Sequence, residues 1–229
     1  MRALKENWIS LERYLNKPGR TYEVFLHTWT QPQTGRVFRN FDRHMGKQWS
    51  PLVYSNQEAL ALLKPTKYLI EDNTKEIVDN MPQVPPYTDS RHRVQSMWRG
   101  WYMSSQLALL SYKKSRPFDV VCRVRTDLSF KSDPYEIFES IKPPKGFIFV
   151  PQYHNGGDPE LSYKMGLHDF FGAGCLAAVL KFTSIYQLGS YYIPRHPDGF
   201  FSEILLKSHC DNVGLNVIRY PVDYQINRV

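Results

Sequence analysis

Arg123, Arg125 and Asp127 stand two residues apart and close a stretch, residues 118–128, that begins as an apolar strand. Val120, Val121, Cys122 and Val124 suit a strand covered on both faces. The three charged residues then alternate at period two, which sends them off one face at the strand's carboxyl end. In open α/β sheets, ligands bind in the crevice outside such ends. Two guanidiniums and a carboxylate there suit a phosphate and a metal ion. The arginines hold phosphate oxygens bidentately, and the carboxylate ligates Mg²⁺ or Mn²⁺ beside those same oxygens. The same spacing also builds an Arg-Asp-Arg salt-bridge ladder with a structural role only, and spacing alone leaves both readings open.

A second chemistry-bearing stretch is 166–174. Here His168 and Asp169 are flanked by Phe170 and Phe171 and by Gly166, Gly172 and Gly174. Glycines at such a place let backbone approach a ligand closely. Asp169 also suits a helix cap, since a helix is expected from Cys175 to about 188. Asp198 lies in a His-Pro-Asp-Gly turn and Glu203 in the helix after it; as plain structure they are a cap and an exposed helix residue. His27 closes a short strand and is expected to find a structural partner there.

The elements that must position these residues alternate along the chain. Leu4, Trp8, Leu11 and Leu15 recur at helical spacing, so residues 3–17 read as an amphipathic helix. A strand over 22–27 follows, then a long loop over 28–55, a helix over 56–63 and a strand over 67–70. Residues 73–89, with three prolines, read as a surface segment or lid. Asp89 or Ser90 is expected to cap a helix running to about 114, with Val94, Trp98, Trp101, Ser105, Ala108 and Tyr112 on its core face. Its first turn carries Arg91, His92 and Arg93, which oppose the helix dipole unless an anion binds there. After the central strand come a helix over 133–141, a strand over 147–150, a polar loop over 152–162, a helix through 209 and a last strand over 215–220. The chain opens on a helix that feeds a strand. In a parallel α/β sheet such a helix has a strand before it, so a first strand is expected to be absent.

Composition narrows the partners. The 229 residues suit one α/β domain spanning 1–229. The net charge of +7 favours anionic partners, yet no basic block is long enough to read as a nucleic-acid arm, so no nucleic acid is expected. Aromatic residues reach 14%, compatible with sugar-stacking surfaces or a Tyr-rich core. Cys122, Cys175 and Cys210 form no CxxC pair, and the first two read as small buried hydrophobes of a reducing compartment. No apolar run reaches membrane-spanning length and no signal peptide is visible, so membrane contact is expected to be peripheral at most. No P-loop and no GxGxxG is present, against P-loop kinases or sulfotransferases and dinucleotide enzymes.

Four stretches taken in order carry a resemblance. They are 22–29, ending His-Thr-Trp; 118–128, as Arg-x-Arg-x-Asp-Leu; Asp169, Phe171 and Gly174, as Asp-x-Phe-x-x-Gly; and 197–224, closing on Tyr224, Ile226 and Arg228. With these the chain resembles GT-A-type nucleotide-sugar glycosyltransferases of bacterial surface-polysaccharide pathways and of large algal viruses. The fold implied is a GT-A-like, Rossmann-like mixed and mostly parallel sheet flanked by helices. The activity implied is transfer of a sugar from a nucleoside diphosphate sugar, UDP first, to a hydroxyl of a glycan or glycoconjugate acceptor. The resemblance makes Asp127 the ligand of Mn²⁺ or Mg²⁺. It puts Arg2, Thr28, Trp29, Arg123 and Arg125 beside the nucleotide, with Asp169 the first candidate base and Asp198 and Glu203 behind it. His168 becomes a neighbour able to orient that base, and Trp29, Phe170 and Phe171 become sugar-stacking candidates. Position 125 holds Arg where the commoner motif has an Asp, and Arg2 stands where the missing strand's arginine is expected. The location implied is cytoplasmic, the host's if the chain is viral. A second reading is a non-catalytic sugar- or nucleotide-binding module of the same fold.

Overall fold

The computed structural model describes residues 2–30, 55–72, 88–112, 117–152, 166–192 and 202–226, with side chains for all of these but 2–3, 88–96 and 190. Helix α1 (Arg2–Leu15) buries Leu4, Trp8 and Leu11 of the stripe that its spacing predicts, and Leu15 is half-buried. Strand β1 (Phe25–Trp29) pairs in parallel with β2 (Lys67–Glu71). Between them α2 (Asn56–Leu63) starts on a capping box, in which the Ser55 hydroxyl accepts the Glu58 N–H and the Glu58 carboxylate accepts the Ser55 N–H. Helix α3 (Thr88–Tyr112) buries Trp98, Trp101, Ser105 and Ala108 as expected, whereas Tyr112 is exposed. The side chains of Val94 and of Arg91, His92 and Arg93 lie outside the described residues, as do most of 28–55 and of 73–89 and all of 153–162.

Then come β3 (Val121–Val124), β4 (Leu128–Phe130), the single turn α4 (Ile137–Ser140), β5 (Phe147–Pro151) and β6 (Phe171–Gly174). Helices α5 (Leu176–Thr183) and α6 (Ile185–Tyr192) replace the single helix expected from Cys175. Helix α7 (Ser202–Asn212), β7 (Asn216–Tyr220) and β8 (Tyr224–Ile226) complete the described chain. The main sheet has the order β3-β6-β5-β7; β6 is antiparallel to both neighbours and β5 is parallel to β7. Strands β3, β5 and β7 therefore share one direction and β6 runs against them.

The α/β class holds, and the one mostly parallel, Rossmann-like sheet that the resemblance implies is corrected. The fold is mixed α/β with several small sheets: the four-stranded mixed sheet, the parallel β1–β2 pair and an antiparallel β4–β8 pair. The difference lies in β6, a short glycine-rich strand that runs antiparallel to both neighbours, a direction no side-chain period encodes. Its glycines serve packing. A Cβ on Gly172 would stand 2.9 Å from the Phe182 ring, and one on Gly174 2.9 Å from the Phe147 carbonyl oxygen.

Alternation along β5 divides the core. Ile148 and Val150 join Trp98, Trp101, Phe182 and Leu205 on one face, under α3 and α5–α7. Phe149 joins Trp8, Leu11, Phe130, Phe171 and Tyr220 on the other, under α1 and the β4–β8 pair. All three cysteines are free; Cys122 and Cys175, expected to be buried, are only partly so, and Cys210 is buried with its thiol pushed up to about 12 by desolvation. Among the described residues no helix is long and apolar enough to cross a membrane.

Two histidines tie this core to pH. His209 is fully buried; its Nε2 donates to the Lys181 carbonyl at 2.7 Å and its Nδ1 meets the Tyr192 hydroxyl at 3.1 Å. Burial lowers its pKa below the ordinary 6.5, against the pull of the Lys181 carbonyl. His27 is lowered in the same way, by burial and against Glu71. Both are depressed in the folded state, so the unfolded chain takes up protons first as pH falls. Their stabilisation is complete above about pH 6.5 and is lost as pH falls through the folded values. The urea midpoint should therefore drop between pH 7 and pH 5, and His209→Gln should flatten that drop while lowering the midpoint at pH 7. A wild-type midpoint that stays level across this range contradicts the assignment.

Candidate functional site

Because β6 runs against β3, β5 and β7, its amino end lies at the same sheet edge as their carboxyl ends. Residues leaving β3 therefore meet residues entering β6. Pairing runs from Val121 opposite Gly174 to Val124 opposite Phe171, and the Arg125 N–H extends it by donating to the Phe170 carbonyl at 3.0 Å. Asp169 arrives directly beside Arg125 and Asp127.

The two arginines have different surroundings. Arg123 lies within β3 opposite Gly172, is 9% exposed, and donates to the Asp169 carbonyl oxygen. Its guanidinium carbon stands 3.8 Å over the Trp101 ring, a cation–π contact in a desolvated place. Burial pushes Arg123 down to about 9, with Asp169 opposing, so it stays charged at neutral pH. Arg125 grips Asp127 with Nε at 2.9 Å from Oδ1 and Nη2 on Oδ2, a bidentate fork, and reaches Asp169 Oδ1 with Nη1 at 3.4 Å. Its guanidinium lies 5.0 Å from the centre of the Phe170 ring. Burial alone would lower its pKa, but Asp127 and Asp169 together hold it above the ordinary value.

Of the three residues at period two, Arg125 and Asp127 pair with each other, and both arginines meet Asp169, Arg123 at its backbone oxygen and Arg125 at its carboxylate. Arg123 lies within β3 and packs on Trp101 of α3, while Arg125 and Asp127 belong to the turn beyond. The ladder that results is Asp127–Arg125–Asp169, an arginine between two carboxylates. Asp169 does not cap a helix: β6 follows it, and α5 takes Cys175 as its N-cap. Of the two carboxylates Asp169 is the less engaged, with one contact at 3.4 Å, and its side chain is 7% exposed.

The other candidates are more scattered. Thr28 and Trp29 end β1 in a different sheet; the Thr28 hydroxyl donates to the Asn56 carboxamide at 3.1 Å, and Trp29 meets His27 edge to face at 4.8 Å. Arg2 opens α1, with its side chain outside the described residues. Glu203 starts α7, where its carboxylate accepts from the Ser202 hydroxyl at 2.9 Å. Asp198 and Arg228 lie outside the described residues. His168 is buried and its Nε2 meets the Tyr224 hydroxyl at 3.4 Å. Phe171 is fully buried against Phe130 and Tyr220, and Phe170 is 9% exposed between His168 and Tyr224. Both are core rings, which corrects their sugar-stacking assignment. Gly166, Gly172 and Gly174 admit neighbouring elements of the chain itself, which corrects the expectation that they admit a ligand.

Two features were not read from the sequence. Trp101 was assigned to the core stripe of its helix, and its role as the platform under Arg123 has no signal until β3 is laid beside it. A second charge cluster joins His27 Nε2 to Glu71 at 2.8 Å and Glu71 to Arg99 through a fork of 2.7 and 2.6 Å, with Arg99 also donating to the Tyr186 hydroxyl at 2.6 Å. The expectation that His27 finds a structural partner is its one sign in the sequence.

A divalent metal fits these residues poorly. Asp127, the expected ligand, has both oxygens on Arg125, and among the described residues no group of three His, Cys, Asp or Glu side chains can hold a metal ion. No family model, no curated protein and no solved structure matches the chain.

Proposed function

We propose that the protein is a glycosyltransferase of GT-A-like architecture, moving a sugar from a nucleoside diphosphate sugar, UDP first, to a hydroxyl of a glycan or glycoconjugate. The observation that carries this reading is Arg125 held between Asp127 and Asp169 at the sheet edge, with Arg123 buried behind them. The order of the motif residues along the chain supports it.

The leaving diphosphate gathers charge as the glycosidic bond breaks, and preorganised cations at that position lower the barrier. Asp127 holds Nε and Nη2 of Arg125 and so aims the fork. Nη1, whose contact to Asp169 is the longest of the three at 3.4 Å, has a second N–H to offer a diphosphate oxygen without moving the fork. The Asp169 carboxylate, only loosely held, accepts the proton of the acceptor hydroxyl. Arg123 supplies a fixed positive charge behind Asp169 through its backbone oxygen. Because the donor set suits a divalent metal poorly, no step is assigned to Mn²⁺ or Mg²⁺.

The ladder is complete without a ligand, and this favours the second reading, a sugar- or nucleotide-binding module without turnover. One screen separates the two. Nucleotide sugars are tested by thermal shift in Mn²⁺ and in EDTA, and any hit is then incubated to detect slow donor hydrolysis. The expected result is a rise in melting temperature with a UDP-sugar, equal in EDTA and in Mn²⁺, followed by release of UDP. A ligand present at a hundred times its Kd stabilises by about 2.7 kcal/mol, well within reach of the method. Binding without UDP release selects the module. No shift with any nucleotide sugar removes both readings, and a shift seen only with Mn²⁺ restores Asp127 as a metal ligand.

A further inference from the structure

Between β1 and β3 lies a cavity of about 1480 Å³. It is partly open to the surface and larger than the roughly 300–1,000 Å³ of small-molecule pockets. One wall is α1, through Leu4, Trp8 and Leu11; the opposite wall is α3, through Trp101 and Ala108. The other two sides are strand edges. Among the described residues β1 pairs only with β2 and β3 only with β6, so each turns an unpartnered edge to the gap.

The two edges run the same way. Near one end of α3, Ser111 donates to Glu23, just ahead of β1, and Tyr112 lies 6.3 Å from Phe118, just ahead of β3. Further back along α3, a Cβ on Gly100 would stand 3.2 Å from the His27 ring and Trp101 lies under Arg123. Both strands therefore run against α3 and parallel to each other, with Phe25 and Phe118 side by side at 5.8 Å where they begin. Helix α1 runs back over the gap. Asn7, near its amino end, donates to the Thr126 carbonyl, beyond the carboxyl end of β3, at 3.0 Å.

We propose that this gap is a strand site. It takes an extended apolar segment of about five residues, parallel to β1 and β3 and continuing directly into the amino end of α1. Three observations select that occupant. Leu4, Trp8 and Leu11 on one wall and Trp101 and Ala108 on the other give it apolar faces, with Asn7, Ser104 and Ser105 among them, which suits a strand covered on both faces. Both flanking edges offer parallel ladders. The amino end of α1 lies where such a strand would finish, so strand, α1 and β1 make one β-α-β unit with the crossover helix over the sheet. Filling the site joins the two-stranded and four-stranded sheets into one. The inference is independent of the proposed chemistry.

The test extends the protein at its amino terminus. One variant carries about five Val and Ile residues and a turn of about two or three residues ahead of Met1. Its control is equally long but made of Gly, Ser and Pro. The unextended protein is expected to bind an apolar dye such as ANS. The apolar extension should abolish that signal, raise the melting temperature by several degrees over the control, and protect amides of β1 and β3 from hydrogen exchange. Equal melting temperatures for the two extensions, or unchanged exchange in β1 and β3, overturn the proposal. So does an apolar extension that removes nucleotide-sugar binding without adding stability, since the cavity is then a ligand pocket. An unextended protein that binds no dye also overturns it.

Discussion

Asp169→Asn should lower kcat for sugar transfer by about 10²–10⁴-fold and leave the melting temperature nearly unchanged. The substitution keeps the side chain's size and leaves in place the backbone carbonyl that Arg123 uses. Among the described residues the carboxylate's contact is a long one, 3.4 Å to Arg125, and Asn presents the same oxygen to it. A helix cap would behave in the opposite way, losing about 0.5–2 kcal/mol of stability with the chemistry intact. That alternative is already weakened because β6, not a helix, follows Asp169. Donor hydrolysis and transfer assayed beside thermal denaturation decide the matter. A destabilised mutant with full activity would remove Asp169 from the chemistry.

The largest effect on stability is expected at Gly166→Ala. Gly166 has φ +94, and a Cβ there would stand 2.3 Å from the carbonyl carbon and oxygen of Glu203 and 2.5 Å from the Ile204 nitrogen. Backbone cannot yield as a side-chain tip can. The close approach is also bonded, since the Leu167 N–H donates to the Glu203 carbonyl at 2.9 Å and Arg219 donates to the Gly166 carbonyl at 2.8 Å. Overpacking costs about 1–3 kcal/mol and the left-handed backbone about 1–2 more. At about 2–4 °C per kcal/mol for a chain of this size, the melting temperature should fall by roughly 5–15 °C. Gly146→Ala is the internal control. Its φ is +83 with nothing within 4 Å of the added Cβ, so it should show the backbone part alone. Equal losses at the two positions would show that the contact with α7 contributes nothing.

Much of the frame could be read from residue spacing. Leu4, Trp8 and Leu11 on α1, and Trp98, Trp101, Ser105 and Ala108 on α3, sit where a 3.6-residue period puts them, because burial of one helix face is a local property of sequence. His27 was expected to find a structural partner and does, in Glu71. What spacing did not reveal depends on neighbours distant in sequence. Gly172 and Gly174 signal a loop when read locally, yet they are glycine because Phe182 and the Phe147 carbonyl crowd the strand that contains them. The types in the candidate site, two arginines and two aspartates, were legible. The Arg125–Asp127 pair was among the readings of the period-two spacing; the pairing of Arg125 with Asp169 was not, because it arises only through the reversed direction of β6. Trp101 looked like any core tryptophan for the same reason.

The β4–β8 pair also sets a timetable for the site. The turn holding Arg125 and Asp127 leads straight into β4, and β4 is fixed from both ends of the described chain. Ser10 of α1 accepts the Phe130 N–H at 3.0 Å, and Leu128, Ser129 and Phe130 pair with Ile226, Gln225 and Tyr224. Contacts of such sequence separation form late, since the loop must close before any of them rewards it. On a ribosome, residues 125–127 emerge well before residue 226, on which the adjoining β4 depends for its pairing. The charged turn thus gains its last neighbouring anchor only when the chain has closed on itself, and a chain cut short before β8 would carry Arg125 and Asp127 beside an unpaired β4.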